Sequence, residues 1–283
     1  MRLDNSRESS NVEDRRGGGM AGLGGRIGIG TIVLALVAMY FGVDPSVVLQ
    51  MAGGPGEAPQ TESQGVPTDD PQARFVARVL GETEDTWSAV FREQTNGSYE
   101  DPRLVLFRGA TQTACGTGQA AMGPFYCPND RRVYIDLSFF DELSQRFKAP
   151  GDFAQAYVIA HEVGHHVQNL LGTLGKASQM QRSVGERQAN QIQVRIELQA
   201  DCYAGIWARN ADQARHIIEA GDIEEALTAA SAIGDDRLQK QSQGYVVPDS
   251  FTHGSSAQRV QWFERGWKSG RLDQCDTFAA NNL

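Results

Sequence analysis

The chain has 283 residues and carries a formal net charge of −9 at neutral pH. Because it is acidic and has no run of Lys and Arg, nucleic acid is not an expected partner. The residues that follow the first 70 are numerous enough for one domain with a substantial core.

An uncharged, apolar run of 17 residues covers residues 27–43. It is just long enough to cross a bilayer as a helix. Arginines precede the run at Arg2, Arg7, Arg15, Arg16 and Arg26, and the next basic residue after it is Arg74. The positive-inside rule therefore predicts an uncleaved single-pass anchor with a cytoplasmic N-terminus and a periplasmic or extracellular remainder. A cleaved signal peptide is the alternative, although no clear A-x-A site ends the run.

We accordingly predict four regions along the chain. They are a cytoplasmic segment at residues 1–26, a transmembrane anchor at 27–49, a flexible linker at 50–70 and one folded domain at 71–283. Glycines before the apolar run and a Gly/Pro/Gln/Ser-rich stretch after it favour this division.

Four cysteines agree with export, since disulfides persist in oxidising compartments. The simplest pairing joins Cys115 to Cys127 and Cys202 to Cys275, although four cysteines allow three pairings. Thiolate metal ligation is disfavoured because no CxxC spacing occurs. A buried free thiol is the alternative for Cys202.

The hydrophobic pattern predicts a mainly helical α+β domain with a small N-terminal β element. Residues 104–107 and 133–137 are predicted strands. Helices are predicted at 71–93, 138–147, 152–171, 183–210, 221–241 and 255–270. Ser138 and Asp152 are predicted to cap two helices, and Gly172 to end the second of these.

The most informative motif, His161-Glu162-Val163-Gly164-His165, lies in the helix predicted at 152–171. Helical spacing puts both imidazoles on one face, so His161 and His165 can bind a single Zn²⁺ ion. Glu162 lies beside them as a candidate general base. An ordinary amphipathic helix is the alternative, and the rest of the chain decides between the two.

A catalytic zinc site uses three protein ligands and a water. Gln168 and Leu171 stand where a metzincin would have its downstream Gly and His, so that arrangement is excluded. Glu197 and Asp201 share a face of the next long predicted helix. We predict that Glu197 is the third metal ligand and that Asp201 accepts the second N–H of a ligand histidine. A solvated acidic face is the alternative; small neighbours that would let another helix approach argue against it, at Ala200, Ala204 and Gly205.

His253, ahead of the last predicted helix, is the first candidate for a donor to the oxyanion that forms during hydrolysis. Tyr203 is the alternative donor, and a purely structural role for His253 is equally open. We assign no catalytic role to His166 and His216.

Agreement with a known family extends beyond the metal motif. The chain resembles the putative neutral zinc metallopeptidase family of bacterial membrane-anchored proteins at residues 10–16, 123–128, 133–140 and 250–254. The paired HEVGHH and ELQAD elements, which begin at His161 and Glu197, are similar to the gluzincin arrangement of thermolysin-like peptidases. The resemblance implies a zincin-like fold, bound zinc and a peptide or protein substrate.

The sequence therefore predicts a membrane-anchored zinc peptidase in which Glu162 acts as general base on a zinc-activated water. Two alternatives stay open: a zinc-dependent hydrolase of a non-peptide amide, and a non-catalytic binding or chaperone-like module. The second is disfavoured because a closed structural zinc site carries four protein ligands.

Overall fold

The computed structural model describes residues 1–16, 66 and 69–279. The transmembrane anchor predicted at 27–49 lies outside the described residues, as does most of the linker predicted at 50–70. Within the described part, no helix is both long and apolar enough to cross a membrane.

The described residues form a mainly helical α+β domain. Its helices are α1 (Pro71–Gln94), α2 (Ser138–Gln145), α3 (Asp152–Leu170), α4 (Thr173–Arg182), α5 (Glu186–Arg215), α6 (Asp222–Ala232), α7 (Asp235–Gln243) and α8 (Ser256–Ser269). Its strands are β1 (Val12–Asp14), β2 (Arg103–Phe107), β3 (Ala110–Thr113), β4 (Gly116–Gln119), β5 (Phe125–Cys127) and β6 (Arg132–Asp136). The predicted class of the domain is confirmed.

Four strands form one sheet in the order β1-β2-β6-β5. The pairs β1–β2 and β2–β6 are parallel, whereas β5 is antiparallel to β6 and ends the sheet. Leu104 and Leu106 of β2 face the main helical core, while Val105 and Phe107 pack in a second cluster on the other face. A strand with apolar residues on both faces is typical of a sheet covered on both sides. The β3–β4 hairpin forms a separate two-stranded ribbon.

Residues 1–16 are an integral part of this domain. Their strand β1 pairs with β2, and their side chains surround the buried Glu84 of α1. The Glu84 carboxylate accepts hydrogen bonds from Ser9 Oγ at 2.6 Å, Arg7 Nη2 at 2.7 Å and Asn11 Nδ2 at 2.8 Å. Because a buried carboxylate is costly without partners, these contacts hold the N-terminal segment against α1.

This packing disagrees with the predicted membrane topology. A single crossing at residues 27–49 would put residues 1–26 and residues 71–283 on opposite sides of a membrane. Strand pairing between β1 and β2 requires both parts on the same side. The sequence alone does not predict this contact, because β1 has only three residues, Val-Glu-Asp, and no periodicity of its own. Its partner strand follows about 90 residues later.

The helix predicted at 221–241 is two helices, α6 and α7. The chain bends at Gly234, where a Cβ would lie 2.4 Å from the backbone nitrogen of Ser256 at the start of α8. The close approach of α8 therefore interrupts the helix. Helix α5 extends beyond its predicted end to Arg215. The exposed His216 is its C-cap and adopts the left-handed conformation, with φ 53°.

Two predicted helix caps are also wrong. Ser138 is the first residue of α2, and its N–H and hydroxyl donate to Asp136 Oδ1 at 3.0 and 2.9 Å. Asp152 lies in the first turn of α3, whose N-cap is Gly151. Gly172, with φ 77°, separates α3 from α4, a helix that was not predicted.

Both disulfides expected from the simplest pairing are present. Cys115–Cys127 links the β3–β4 hairpin to β5, and Cys202–Cys275 links α5 to the C-terminal tail. Small residues on the helix that carries Glu197 predicted the close approach of another helix. That helix is α8, and the two helices are in close contact at Gly266. A Cβ at this position would lie 1.9 Å from the Cys202 carbonyl oxygen.

Candidate metal centre

Helices α3 and α5 pack together and bring three metal-binding side chains to one point. Glu197 Oε2 lies 3.2 Å from His161 Nε2 and 3.5 Å from His165 Nε2. Tetrahedral zinc with bonds near 2.0–2.1 Å separates its ligand atoms by about 3.3 Å. The spacing of the three side chains therefore fits a zinc ion, and no other metal-type cluster in the described residues contains a histidine.

The electrostatics of this cluster also favour a cation. Burial disfavours the imidazolium of His161, yet the carboxylates of Asp201 and Glu197 outweigh burial and raise its pKa to about 10. Burial likewise opposes ionisation of Glu197, but His165 and His161 hold the pKa of that carboxyl well below its usual range. The carboxylates of Asp201 and Glu197 thus favour positive charge on the histidines of this cluster.

His161 is oriented by a buried ionic network. Its Nδ1 lies 2.8 Å from Asp201 Oδ1, which also accepts from Tyr157 Oη at 2.5 Å. Arg259 of α8 donates to both Asp201 oxygens, at 2.8 and 2.9 Å. Burial opposes ionisation of Asp201, but Arg259 and His161 lower its pKa to about 2. An ionised Asp201 accepts the Nδ1 proton of His161, so Nε2 is the atom at which a metal ion would take the place of a proton.

The two other ligands are oriented by glutamines. His165 Nδ1 lies 2.8 Å from Gln168 Oε1, one turn along α3. Glu197 Oε1 accepts from Gln193 Nε2 at 2.8 Å, so that Oε2 faces the two histidines. Each ligand thus has a partner on the atom that does not face the cluster.

Glu162 is buried beside the cluster and lines the same cleft. Burial raises the pKa of its carboxyl, although His165 and His161 act in the opposite direction. A carboxylate whose pKa moves toward neutrality is a better proton acceptor at working pH than an ordinary surface glutamate.

The cluster lies in a cleft of about 900 Å³. Its lining includes the segment before β5, β5 itself, α7 and the loop that carries His253. Apolar side chains from several elements line it, among them Met122, Phe139, Phe147, Leu174 and Leu238. Its size suits a peptide segment better than a single small ion.

His253 lies in this cleft at the entrance to α8, with its side chain about half exposed. Asp235 holds the loop, because its Oδ2 accepts the backbone N–H groups of Thr252, His253 and Gly254 at 2.7, 2.6 and 3.1 Å. Asp235 Oδ1 lies 3.2 Å from His253 Nδ1, and this hydrogen bond raises the pKa of the imidazole.

Tyr203, the alternative oxyanion donor, is buried away from the cleft. Its ring packs edge-on against Trp87 of α1 at 5.7 Å between centroids. His166 is buried too, with Nδ1 3.0 Å from Tyr126 Oη and Nε2 2.6 Å from the Glu100 carbonyl oxygen. The position of Tyr203 does not support an oxyanion role. The two hydrogen bonds of His166 give that residue a structural role.

Four residues that orient the metal ligands were not predicted from the sequence: Tyr157, Gln168, Gln193 and Arg259. Tyr157 stands four residues before His161 and Gln168 three after His165, so helical spacing places both beside the ligands. Arg259 carried a weaker signal, as a charged residue on the otherwise apolar face of an amphipathic helix.

A second cluster of potential metal ligands in the described residues consists of three carboxylates, those of Asp152, Asp222 and Glu225. The Met1 ammonium lies 2.8 Å from Asp152 Oδ2 and 3.4 Å from Asp222 Oδ1. A cationic partner within the chain thus accounts for this cluster.

Comparison with known proteins adds independent findings. A family model described as "Putative neutral zinc metallopeptidase" matches residues 1–278. The uncharacterized protein YpfJ of Escherichia coli is 52% identical over 287 residues, which cover 98% of this chain and 99% of the relative. The uncharacterized protein Rv2575 of Mycobacterium tuberculosis is 42% identical over 259 residues, covering 87% and 86%. No solved structure matches the chain.

Proposed function

The chain belongs to the putative neutral zinc metallopeptidase family, and from this premise we propose that it is a zinc-dependent peptidase that hydrolyses peptide bonds. One observation carries the proposal. Glu197 Oε2 lies at zinc spacing from Nε2 of His161 and of His165, and these three side chains line a large cleft together with the buried carboxyl of Glu162.

His161, His165 and Glu197 would hold the zinc ion. When bound, zinc lowers the pKa of a coordinated water and polarises a carbonyl oxygen, which is the chemistry that amide hydrolysis requires. Because the chain supplies three ligands, one coordination position is left for water or substrate, as in catalytic sites and unlike closed structural sites.

Glu162 acts as general base and then as general acid. Its carboxylate accepts a proton from the attacking water and returns that proton to the amine that leaves when the C–N bond breaks. The burial of Glu162 supports this role, because a raised pKa brings the carboxyl closer to the pH at which it must both take up and release a proton.

His253 stabilises the oxyanion that forms on the attacked carbonyl. Its Nδ1 is engaged by Asp235, so a proton on Nε2 is present only in the imidazolium form. Asp235 raises the pKa of His253 and thereby maintains this form. A charged donor aimed into the cleft is the group that amide hydrolysis needs beside the metal.

We also propose that the domain works outside the cytoplasm. All four cysteines of the chain are paired in disulfides, which persist in oxidising compartments. Since residues 1–16 pack on the domain, they would share its compartment.

A digest of a peptide library by the purified full chain tests the proposal. We expect cleavage that stops with a chelator and returns when zinc is added. Glu162→Gln should keep the metal but lose cleavage, because a neutral amide cannot accept the proton. Zinc binding without cleavage of any peptide would favour a binding module, and chelator-sensitive hydrolysis of non-peptide amides alone would favour the other alternative.

A further inference from the structure

Two buried glutamines connect the second histidine to the C-terminal tail. His165 Nδ1 lies 2.8 Å from Gln168 Oε1. Gln168 Nε2 donates to the Ile196 carbonyl oxygen at 2.8 Å and to Gln199 Oε1 at 3.1 Å. Gln199 Nε2 in turn donates to the Cys275 carbonyl oxygen at 2.9 Å. We refer to Gln168 and Gln199 as the glutamine relay.

Two backbone carbonyls fix the direction of the whole relay, because a carbonyl oxygen can only accept. The Cys275 carbonyl requires the amide nitrogen of Gln199, so the oxygen of Gln199 faces Gln168. The Ile196 carbonyl requires the nitrogen of Gln168, so the oxygen of Gln168 faces His165. That oxygen also only accepts, and His165 therefore carries its proton on Nδ1 and presents the lone pair of Nε2 to the metal.

The tail at residues 275–277 is fastened along one face of α5. Arg195, Gln199 and Cys202 recur at helical spacing on this face, and each contacts the tail. Thr277 Oγ1 donates to the Arg195 carbonyl oxygen at 2.7 Å, and the Arg195 guanidinium donates to the Thr277 carbonyl. The disulfide from Cys202 holds Cys275 itself. The two attachments lie one turn on either side of Gln199 and fix the carbonyl at which the relay ends.

The two histidines differ in what orients them. His161 has an ionised carboxylate, Asp201, on its Nδ1. His165 has a neutral amide there, and that amide is held only through other neutral groups. A neutral hydrogen bond is weaker than one to a charged acceptor, so the orientation of His165 depends more on the rest of the relay.

We infer that Gln168 and Gln199 are positioning residues for zinc, and that the Cys202–Cys275 disulfide supports them by holding the Cys275 carbonyl. The inference rests on the zinc centre proposed above and deepens it. It makes the C-terminal tail, which binds α5 through Arg195, Gln199 and Cys202 and not through the three ligands, a determinant of metal retention.

Zinc affinity of the purified full chain, measured by competition with a chelator, tests the inference. Gln168→Leu and Gln199→Leu should each weaken zinc binding by about 10–100-fold, the range typical of groups that orient a ligand. Gln168→Glu should weaken zinc binding less than Gln168→Leu, because its carboxylate still accepts the Nδ1 proton of His165, although it cannot donate to the Ile196 carbonyl or to Gln199. Higher zinc affinity in Gln168→Glu than in Gln168→Leu would show that the hydrogen-bond acceptor at position 168 matters, and not packing alone.

The chain offers matched controls. Gln94 also binds the C-terminal region, since it donates to the Gly270 carbonyl at 3.0 Å and accepts from the Leu272 N–H at 2.9 Å, but it has no path to His165. Gln94→Leu should therefore keep wild-type zinc affinity. For the disulfides, Cys202→Ala with Cys275→Ala should weaken zinc binding, whereas Cys115→Ala with Cys127→Ala should not.

A spectroscopic readout separates positioning from loss of fold. In the zinc-loaded, ¹⁵N-histidine-labelled protein, the His165 Nδ1 proton should exchange slowly with solvent and should exchange faster in Gln199→Leu. Wild-type affinity and slow exchange in Gln168→Leu and Gln199→Leu would overturn the inference. Equal weakening by Gln94→Leu would also overturn it, since loss of tail packing would then suffice. Absence of zinc from the unmodified protein would instead reject the proposed function.

Discussion

Gly164, between the two histidines of the HExxH motif, lies directly against Ala200 of α5. A Cβ at Gly164 would be 3.0 Å from the Ala200 carbonyl oxygen and 3.2 Å from its Cα. Because α3 and α5 meet at this point, Glu197 can reach His161 and His165 at the separation that zinc requires. The missing side chain of Gly164 thus sets the distance between the helices that supply the metal ligands.

Gly164→Ala should push α3 and α5 apart. Overpacking of a tight contact typically costs about 1–3 kcal/mol, so the free energy of unfolding in denaturant should fall by that amount. Zinc affinity should fall as well, because Glu197 moves away from the histidines. The control is Gly175→Ala in α4, where a Cβ meets nothing within 4 Å. That variant should leave zinc affinity unchanged, and equal effects of the two substitutions would contradict the prediction.

Asp201→Asn should affect both stability and metal binding. It leaves the buried guanidinium of Arg259 without its carboxylate, which typically costs about 3–5 kcal/mol of unfolding free energy. It should also weaken zinc binding by about 10–100-fold, because His161 loses its ionised partner.

The double variant Asp201→Asn with Arg259→Met separates these effects. Removing the unpaired charge should restore most of the stability of the metal-free protein, while zinc affinity stays low. Recovery of zinc affinity together with stability would show that Asp201 acts on the fold and not on His161.

The pH dependence of hydrolysis should report the Asp235–His253 pair. Asp235 raises the pKa of His253, and only the imidazolium carries a proton on Nε2, so the rate should fall as pH rises through that pKa. Asp235→Asn removes the charge but keeps an acceptor for the loop. The falling limb should therefore move to lower pH, while the limb at low pH, set by Glu162, stays in place. Asp249→Asn, in the exposed loop before His253, should leave both limbs unchanged.

His253→Ala should lower kcat by about 10²–10³ with little effect on KM, as expected for loss of one oxyanion donor. Tyr203→Phe is the matched control, because this hydroxyl is buried near Trp87 and outside the cleft. If the tyrosine variant lost kcat and the histidine variant kept it, the donor would be misassigned.

Much of the metal centre follows from helical spacing alone, including the orienting groups one turn from a ligand, whereas the contact of Gln199 with the C-terminal tail does not. Asp201 follows Glu197 by four residues and stays on its face of α5, but Tyr203 follows by six and is turned away by roughly 240° around the axis. The same periodicity therefore argues against Tyr203 as the oxyanion donor. Gln199 also lies off the Glu197 face, and the acceptor for its amide nitrogen, the Cys275 carbonyl, lies in the C-terminal tail, far away in sequence.

The sheet was harder to predict than the helices for a physical reason. Strands β2 and β6 carry apolar runs that mark them as buried, but β1 and β5 are three-residue edge strands, and β1 pairs with a strand far along the chain. Such short segments have no periodicity of their own, and tertiary contact determines their conformation. The packing of residues 1–16 on the domain could therefore not be read from their composition.

That packing makes a prediction about topology in the cell. Asp4 and Glu224 are both exposed, one in the N-terminal segment and one on α6. Because all four native cysteines are in disulfides, Asp4→Cys and Glu224→Cys each introduce a single free thiol. A membrane-impermeant thiol reagent should label both variants from the same side. Labelling from opposite sides would support the single crossing predicted from the arginines and contradict the β1–β2 pairing in the cell.

The zinc content and affinity of Glu197→Ala test the central claim most directly, since Glu197 is the ligand that only the pairing of α3 with α5 supplies. The unmodified chain should bind one zinc ion, and Glu197→Ala should lose tight binding because two histidines alone do not complete the ligand set. Glu142→Ala, which removes another cleft carboxylate, should bind zinc as the unmodified chain does. Full zinc occupancy at normal affinity in Glu197→Ala would contradict the account.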